Sequence, residues 1–244
     1  MRPQIVLFGD SITEQSFRSG GWGAALADTY SRKADIVNRG FGGYNTRWAL
    51  FLLHHLFPLR LLLLQPYFLE QMMQRFWEEL VQGSMCQLMN TRRIFGEWFN
   101  ILRLLQECCS TMLIVLITPP PVDEEGRKEY ARALYGEKAM KLPERTNETA
   151  GLYAEKCVEL ARELDLPSIN LWSKMQEMDG WQKKFLRDGL HLTEDGNAVV
   201  YQEVVRVFSE TWLPASKMPY DFPHHSEIDP ENPGKAFQQQ CLGV

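Results

Sequence analysis

The stretch that decides the fold of this chain is QIVLFGDSIT, residues 4–13. Its first half, residues 4–8, is an apolar run that predicts a buried β-strand, and Gly9 ends the run. The strand then delivers Ser11 to the start of the next turn. A serine after a strand is either the cap of a helix or a nucleophile, and capping is the commoner of these two uses.

A second stretch near the other end of the chain favours the nucleophile. Asp188 stands three residues before His191, so its carboxylate can reach the imidazole within one turn and fix the tautomer of the ring. With Ser11, the chain therefore holds a candidate nucleophile, a base and an orienting carboxylate. In this hypothesis His191 removes the serine proton during attack and later gives it to the leaving alcohol, while Asp188 stabilises the imidazolium.

Three motifs together resemble the GDSL/SGNH hydrolase superfamily: GDS at 9–11, NRGFGGYNTRW at 38–48 and DGLH at 188–191. Within it the chain most resembles plant GDSL esterases similar to isoamyl acetate-hydrolysing esterase, over residues 1 to about 59 and about 107 to 240. The resemblance implies an oxyanion hole made by the backbone N–H groups of Ser11 and Gly43 and by an asparagine side chain. Glycine suits such a place because, without a Cβ, its backbone can approach a substrate closely.

That asparagine belongs to a Gly-x-Asn-Asp motif, which this chain lacks. Residues 60–106 show no clean strand pattern, and Pro66 cannot donate to a β-ladder. The codons of residues 69–74 can be chosen so that a shifted reading frame spells Gly-Ala-Asn-Asp-Ala. We therefore predict that residues 60–106 are translated out of frame, that the third-strand region is disrupted, and that activity is impaired. A lineage-specific insertion is the alternative.

Alternating strands and helices predict a doubly wound parallel α/β sheet of the SGNH-hydrolase, flavodoxin-like type, with helices on both faces. Ser11, Gly43 and His191 then fall at the carboxyl ends of the strands, where ligands bind in such folds. The patterns predict strands at 4–8, 35–38, 112–117 and 168–172, and helices at 23–30, 47–57, 147–164 with Thr146 as cap, and from Thr193 onward. We assign residues 1–213 to the hydrolase domain and 214–244 to a Pro-rich tail.

Composition excludes several classes of protein. The net charge is −5, from 26 basic and 31 acidic residues. The sequence contains no basic stripe of the kind that binds nucleic acid, so we predict no nucleic-acid partner. The run Leu61–Leu64 is too short to span a membrane, and the first ten residues become polar too soon for a signal peptide. The five cysteines form no CxxC pair and their odd number argues against a disulfide framework, so we predict a cytoplasmic protein, with secretion as the alternative left open.

The remaining histidines, in the pairs His54-His55 and His224-His225, lack the spacing and partners of a metal site, so we assign no metal. The predicted function is a serine esterase that hydrolyses small acetyl or short-chain esters through an acyl-serine intermediate, with water as co-substrate and no cofactor. The alternatives are a non-catalytic protein of the same fold, a faulty gene model, or an esterase for acetylated polysaccharide or a thioester. The sequence leaves the physiological ester and the oligomeric state open.

Overall fold

A single parallel sheet organises the chain in the computed structural model, which describes residues 2–56, 68–70, 96–105, 107, 112–136, 139 and 145–238. Its strands, in the order β2-β1-β3-β4-β5, are β1 Gln4–Gly9, β2 Asp35–Gly40, β3 Phe68–Glu70, β4 Leu116–Ile117 and β5 Ser168–Ile169. Every neighbouring pair is parallel. This is the flavodoxin-like strand order, so the predicted fold class is confirmed.

Helices follow the strands along the chain. They are α1 Ser11–Glu14, α2 Trp22–Thr29, α3 Thr46–Leu56, α4 Glu124–Tyr135, α5 Asn147–Glu163, α6 Leu171–Gln176, α7 Trp181–Phe185, α8 Glu194–Glu210 and α9 Gly234–Gln238. Residues 96–105 are also helical, and short 3₁₀ turns occupy Gln15–Phe17 and His225–Glu227. As predicted, the Thr146 side chain caps α5, where it accepts a hydrogen bond from the N–H of Thr149.

The side chains of β1 alternate between two cores on opposite faces of the sheet. Ile5 and Leu7 pack on the face covered by α2 and α8. Val6 and Phe8 pack on the face covered by α3, the helical residues 96–105 and α5. Because helices cover both faces, every central position of the strand is buried, which explains its unbroken apolar run.

Two predicted strands are shorter in the structure. The run 112–117 is buried from residue 113 onward but pairs as a regular strand only at Leu116–Ile117. The predicted strand 168–172 ends at Ile169, because the Asn170 side chain accepts a hydrogen bond from the N–H of Ser173 and so caps α6. The prediction was therefore wrong for Leu171 and Trp172, which begin that helix.

The third-strand region, which we expected to be disrupted, forms regular structure at Phe68–Glu70 and at residues 96–105. The three-residue β3 pairs with β1 through Val6↔Phe68 and with β4 through Glu70↔Leu116. Trp98 is buried in the helical residues 96–105, and its indole N–H donates to the carbonyl of Thr46 at 3.3 Å. The reading-frame hypothesis depends on the codons of residues 69–74, of which residues 71–74 lie outside the described part of the chain. The hypothesis therefore stays a prediction.

The segment after α8 packs against the beginning of the fold. The Tyr30 hydroxyl donates to the carbonyl of Leu213 at 2.8 Å, and the Lys33 ammonium donates to that of Ala215 at 2.8 Å. Farther along, the Asp221 carboxylate accepts hydrogen bonds from Arg2 and Arg32. Within the residues that the structure describes, no helix has the length and apolar character needed to cross a bilayer.

Candidate active site

Ser11 lies just beyond the carboxyl end of β1, the strand that pairs with β2 on one side and with β3 on the other. The Asp10 carboxylate accepts a hydrogen bond from the N–H of Ile12 at 2.8 Å and caps α1, of which Ser11 is the first residue. The capping role that the sequence left open for Ser11 therefore falls to Asp10. The serine hydroxyl remains available for another partner.

That partner is His191. The Ser11 Oγ lies 3.0 Å from His191 Nε2, and His191 Nδ1 lies 2.7 Å from Asp188 Oδ2. The structure thus brings together the three residues predicted to act as nucleophile, base and orienting carboxylate. The imidazole is 20% exposed and the carboxylate 9% exposed, so the chain of contacts runs from a partly open serine into the protein.

A tight turn between α7 and α8 sets the separation of Asp188 and His191. Asp188 Oδ1 accepts hydrogen bonds from the N–H groups of Leu190, at 3.0 Å, and His191, at 2.7 Å. Gly189 has φ +78°, and a Cβ there would lie 2.3 Å from the carbonyl oxygen of Asp123. Only glycine suits both the positive φ and the lack of space for a Cβ. Gly189 therefore allows the turn in which the Asp188 carboxylate reaches the His191 imidazole.

These contacts also fix the charge of the carboxylate. Burial alone would raise the pKa of Asp188, but the hydrogen bonds from the His191 side chain and from the N–H groups of His191 and Leu190 outweigh it and lower the pKa to about 2. Asp188 is therefore ionised at neutral pH, and its Oδ2 accepts the hydrogen bond that the Nδ1–H of His191 donates. Nε2 then carries the lone pair that faces the Ser11 hydroxyl.

Gly43 lies in the loop between β2 and α3, which borders α1. Its φ of +89° is a left-handed conformation that other residues rarely adopt. On its N-terminal side, the N–H of Phe41 donates to the carbonyl of Gly9 at 2.7 Å, and the N–H of Gly42 donates to the Glu14 carboxylate. The loop is therefore tied both to the end of β1 and to the helix that begins with Ser11.

Asn38 strengthens this link, and sequence reasoning gave it no role. Its side-chain amide donates to the carbonyls of Thr13, at 3.0 Å, and Glu14, at 3.2 Å, while its oxygen accepts from the N–H of Gly40 at 2.8 Å. Sequence reasoning also missed Glu14, and it did not recognise Asp10 as a cap, although a polar Asp before a short helix is a known start signal.

A cleft of about 260 Å³ adjoins this arrangement and is lined by His191 together with Gln15, Arg18, Arg187 and Glu194. Among the described residues, no group of three or more His, Cys, Asp or Glu side chains is placed to hold a metal ion. The contacts among Ser11, His191 and Asp188 offer the chemistry of a hydroxyl activated by an imidazole and a carboxylate.

Comparison with known proteins gives concordant similarities. Residues 5–59 and 68–204 match the family model described as GDSL-like lipase/acylhydrolase. A GDSL esterase/lipase of Arabidopsis thaliana is 60% identical over 244 residues, which cover 99% of this chain and 100% of that protein. The isoamyl acetate-hydrolyzing esterase 1 homolog of Bos taurus is 32% identical over 232 residues, covering 95% and 90%.

Among solved structures, the lipase/acylhydrolase from Enterococcus faecalis superposes with a TM-score of 0.60 at 20% identity, covering 91% of this chain and 100% of that one. An acetyl xylan esterase superposes with a TM-score of 0.61 at 16% identity, covering 84% and 98%. At these identities the likeness concerns the fold, and it agrees with the strand order described above.

Proposed function

Because the chain belongs to the GDSL-like lipase/acylhydrolase family, we propose that it hydrolyses small carboxylic esters through an acyl-serine intermediate on Ser11. The observation that carries this proposal is the unbroken series of hydrogen bonds from Ser11 through His191 to Asp188. A serine hydroxyl is a weak nucleophile until an adjacent base accepts its proton, and this series supplies that base and the group that orients it.

In the acylation step, Ser11 Oγ attacks the ester carbonyl carbon while its proton passes to Nε2 of His191. The carbon–oxygen bond to the alcohol then breaks, and the imidazolium gives its proton to the departing oxygen. Asp188 stays ionised throughout and stabilises the imidazolium, which it contacts at Nδ1. The products of this step are the free alcohol and an ester between the acyl group and Ser11.

In the deacylation step, water takes the place of the alcohol. His191 accepts a proton from the water as its oxygen attacks the acyl carbon, and then returns that proton to Ser11 Oγ as the bond to the serine breaks. The carboxylic acid leaves and the enzyme is restored. Atoms and protons balance with water as the only co-substrate.

Each step passes through a tetrahedral oxyanion, which needs hydrogen-bond donors. We assign this role to the backbone N–H groups of Ser11 and Gly43, with the family's asparagine donor absent from the chain as written. The ties from the Gly43 loop to Gly9 and Glu14 support the assignment, because donors must be fixed before the charge develops. Loss of one such donor typically costs about 10²–10³ in rate, so catalysis by this chain is expected to be weaker than that of a complete relative.

The proposal is tested with p-nitrophenyl acetate and butyrate and with a fluorophosphonate probe, which labels activated serines. We expect hydrolysis by the natural chain and a covalent adduct that peptide mass spectrometry locates on Ser11. Ser11→Ala removes both signals, whereas Ser209→Ala, at an exposed serine of α8, keeps both. A folded protein that hydrolyses neither ester faster than Ser11→Ala would instead be the non-catalytic relative that the sequence left as an alternative.

A further inference from the structure

The cleft beside His191 contains two guanidinium groups that meet on one neutral acceptor. Gln15 Oε1 accepts a hydrogen bond from Nη1 of Arg18 at 3.1 Å and another from Nη2 of Arg187. Arg18 lies just after the turn that follows α1, and Arg187 directly precedes Asp188. Two positive side chains distant in sequence therefore converge next to the catalytic histidine.

Neither of these two charges has a carboxylate partner among the described residues. Within the described part of the chain, the only hydrogen-bonding partner of either guanidinium side chain is Gln15, and neither forms an ion pair. The acidic residue that lines the cleft is Glu194, whose side chain packs over Gly20. Like charges held together repel each other unless an anion joins them, and a planar guanidinium fork matches the oxygens of carboxylate and phosphate.

The reaction geometry says which part of an ester would enter this cleft. His191 must give its proton to the leaving oxygen, so the alcohol part has to lie within hydrogen-bond reach of Nε2. His191 lines the cleft and Ser11 does not, so we take the cleft, on the far side of the imidazole from the serine, as the space into which the alcohol part extends. Gly43, the second oxyanion donor, is not among the residues that line it.

We propose that the natural substrate is an ester whose alcohol part carries a carboxylate or phosphate group, and that Arg18 and Arg187 bind this anion. The inference rests on the function proposed above and narrows its substrate class. Gln15 acts as a positioning residue, since its single amide oxygen holds both guanidiniums at the mouth of the site.

The test compares two acetyl esters that differ in charge but hardly in shape. We would measure kcat/KM for 4-acetoxybenzoate and for its neutral analogue 4-acetoxybenzamide, with 4-acetoxyphenyl phosphate as a third substrate. The natural chain is expected to prefer an anionic ester by about tenfold, as suits charge-assisted bonds in a partly exposed cleft. A larger preference for the benzoate points to a carboxylate substrate, and one for the aryl phosphate to a phosphorylated alcohol.

The variants separate local binding from general charge effects. The double variant Arg18→Gln/Arg187→Gln should reduce the anionic-to-neutral ratio of kcat/KM to about one. Arg132→Gln, at an exposed arginine of α4 outside the cleft, also replaces one positive charge by a neutral amide. It should leave the anionic-to-neutral ratio of kcat/KM unchanged. A ratio near one in the natural chain, an unchanged ratio in the double variant, or an equal loss in Arg132→Gln would overturn the inference.

Failure of the inference differs from failure of the proposed function. If the inference alone is wrong, 4-acetoxybenzamide is still hydrolysed faster than by Ser11→Ala, and only the charge preference is missing. If a folded protein hydrolyses none of the three esters above that background, the proposed function is rejected and the inference falls with it.

Discussion

The two halves of the candidate active site are built differently. The proton-transfer half consists of side chains, Ser11, His191 and Asp188, which contact one another directly. The proposed oxyanion half would consist of the backbone N–H groups of Ser11 and Gly43, whose positions depend on the conformation of Gly43 and on neighbours such as Glu14, which accepts a hydrogen bond from the adjacent Gly42. A site made of side chains can be recognised in a sequence, because it needs particular residue types at particular spacings. A site made of backbone N–H groups can be recognised only by the glycine that allows the backbone conformation.

Breaking the proton-transfer half should have the largest effect. His191→Gln is expected to lower kcat for p-nitrophenyl acetate by about 10⁴–10⁶-fold, because the serine loses its base. Since the residues act as a unit, the double variant Ser11→Ala/His191→Gln should be no slower than the single ones. His225→Gln, at an exposed histidine of the C-terminal segment, is the matched control with unchanged kcat. A double variant whose loss equals the product of the single losses would show that the two residues act independently.

Breaking the oxyanion half should cost less. Gly43→Ala forces a side chain into φ +89°, so the N–H shifts, and we expect kcat to fall about 10²–10³-fold with little change in KM. Gly180→Ala is the matched control, because Gly180 also has a positive φ, +74°, and has open space around its Cβ position. Both variants should lose thermal stability. If Gly43→Ala loses stability but keeps kcat, Gly43 is not a donor to the oxyanion.

Breaking the link between the two halves should lower the stability of the fold. It should reduce the rate less than either change described above. Asn38→Ala removes hydrogen bonds to Thr13, Glu14 and Gly40, and we expect it to lower the free energy of unfolding by about 1–3 kcal/mol and kcat by roughly tenfold. Thr146→Ala removes the cap of α5, which costs about 1 kcal/mol, and should keep kcat. Equal kcat values in the two variants would mean that the halves hold their geometry without this link.

The smallest effect concerns acid stability. The folded-state pKa of Asp188, about 2, lies below its usual value near 4. The carboxylate therefore stabilises the fold above about pH 4, and this contribution is lost as the pH falls toward 2. In urea titrations, the difference in the free energy of unfolding between the natural chain and Asp188→Asn should narrow by about 1–2 kcal/mol between pH 4 and pH 2. Ser11→Ala keeps the Asp188–His191 contact and should follow the natural chain, and a gap that stays constant would contradict the prediction.

Much of the fold could be predicted because its signals are local. The cap at Thr146 and the buried run of β1 each depend on residues within one turn or one strand. The end of β5 could not be predicted in this way, because the Asn170 cap competes with an apolar run that also suits a strand. The brief β3 was missed since three residues carry no periodicity, and its place is set by pairing with β1 and β4.

The same contrast holds for the candidate site. The Asp188–His191 contact follows from a three-residue spacing, and the meeting of these residues with Ser11 follows from a parallel sheet that gathers its strand ends. The roles of Glu14 and Asn38 could not be predicted, because their partners are backbone atoms 28 and 24 residues away. Nothing in the residue types themselves marks such bonds before the β2–α3 loop is placed beside α1.

The contact between Ser11 and His191 spans 180 residues of sequence, and this separation makes activity a late event in the life of the chain. At synthesis rates of about 5–20 residues per second, Ser11 leaves the ribosome's active centre roughly 10–40 s before His191 does. Throughout that interval β1 and its serine exist without their base, so no nascent intermediate can turn over an ester. In refolding, likewise, the recovery of hydrolysis counts only molecules in which the first strand and the turn before α8 have met.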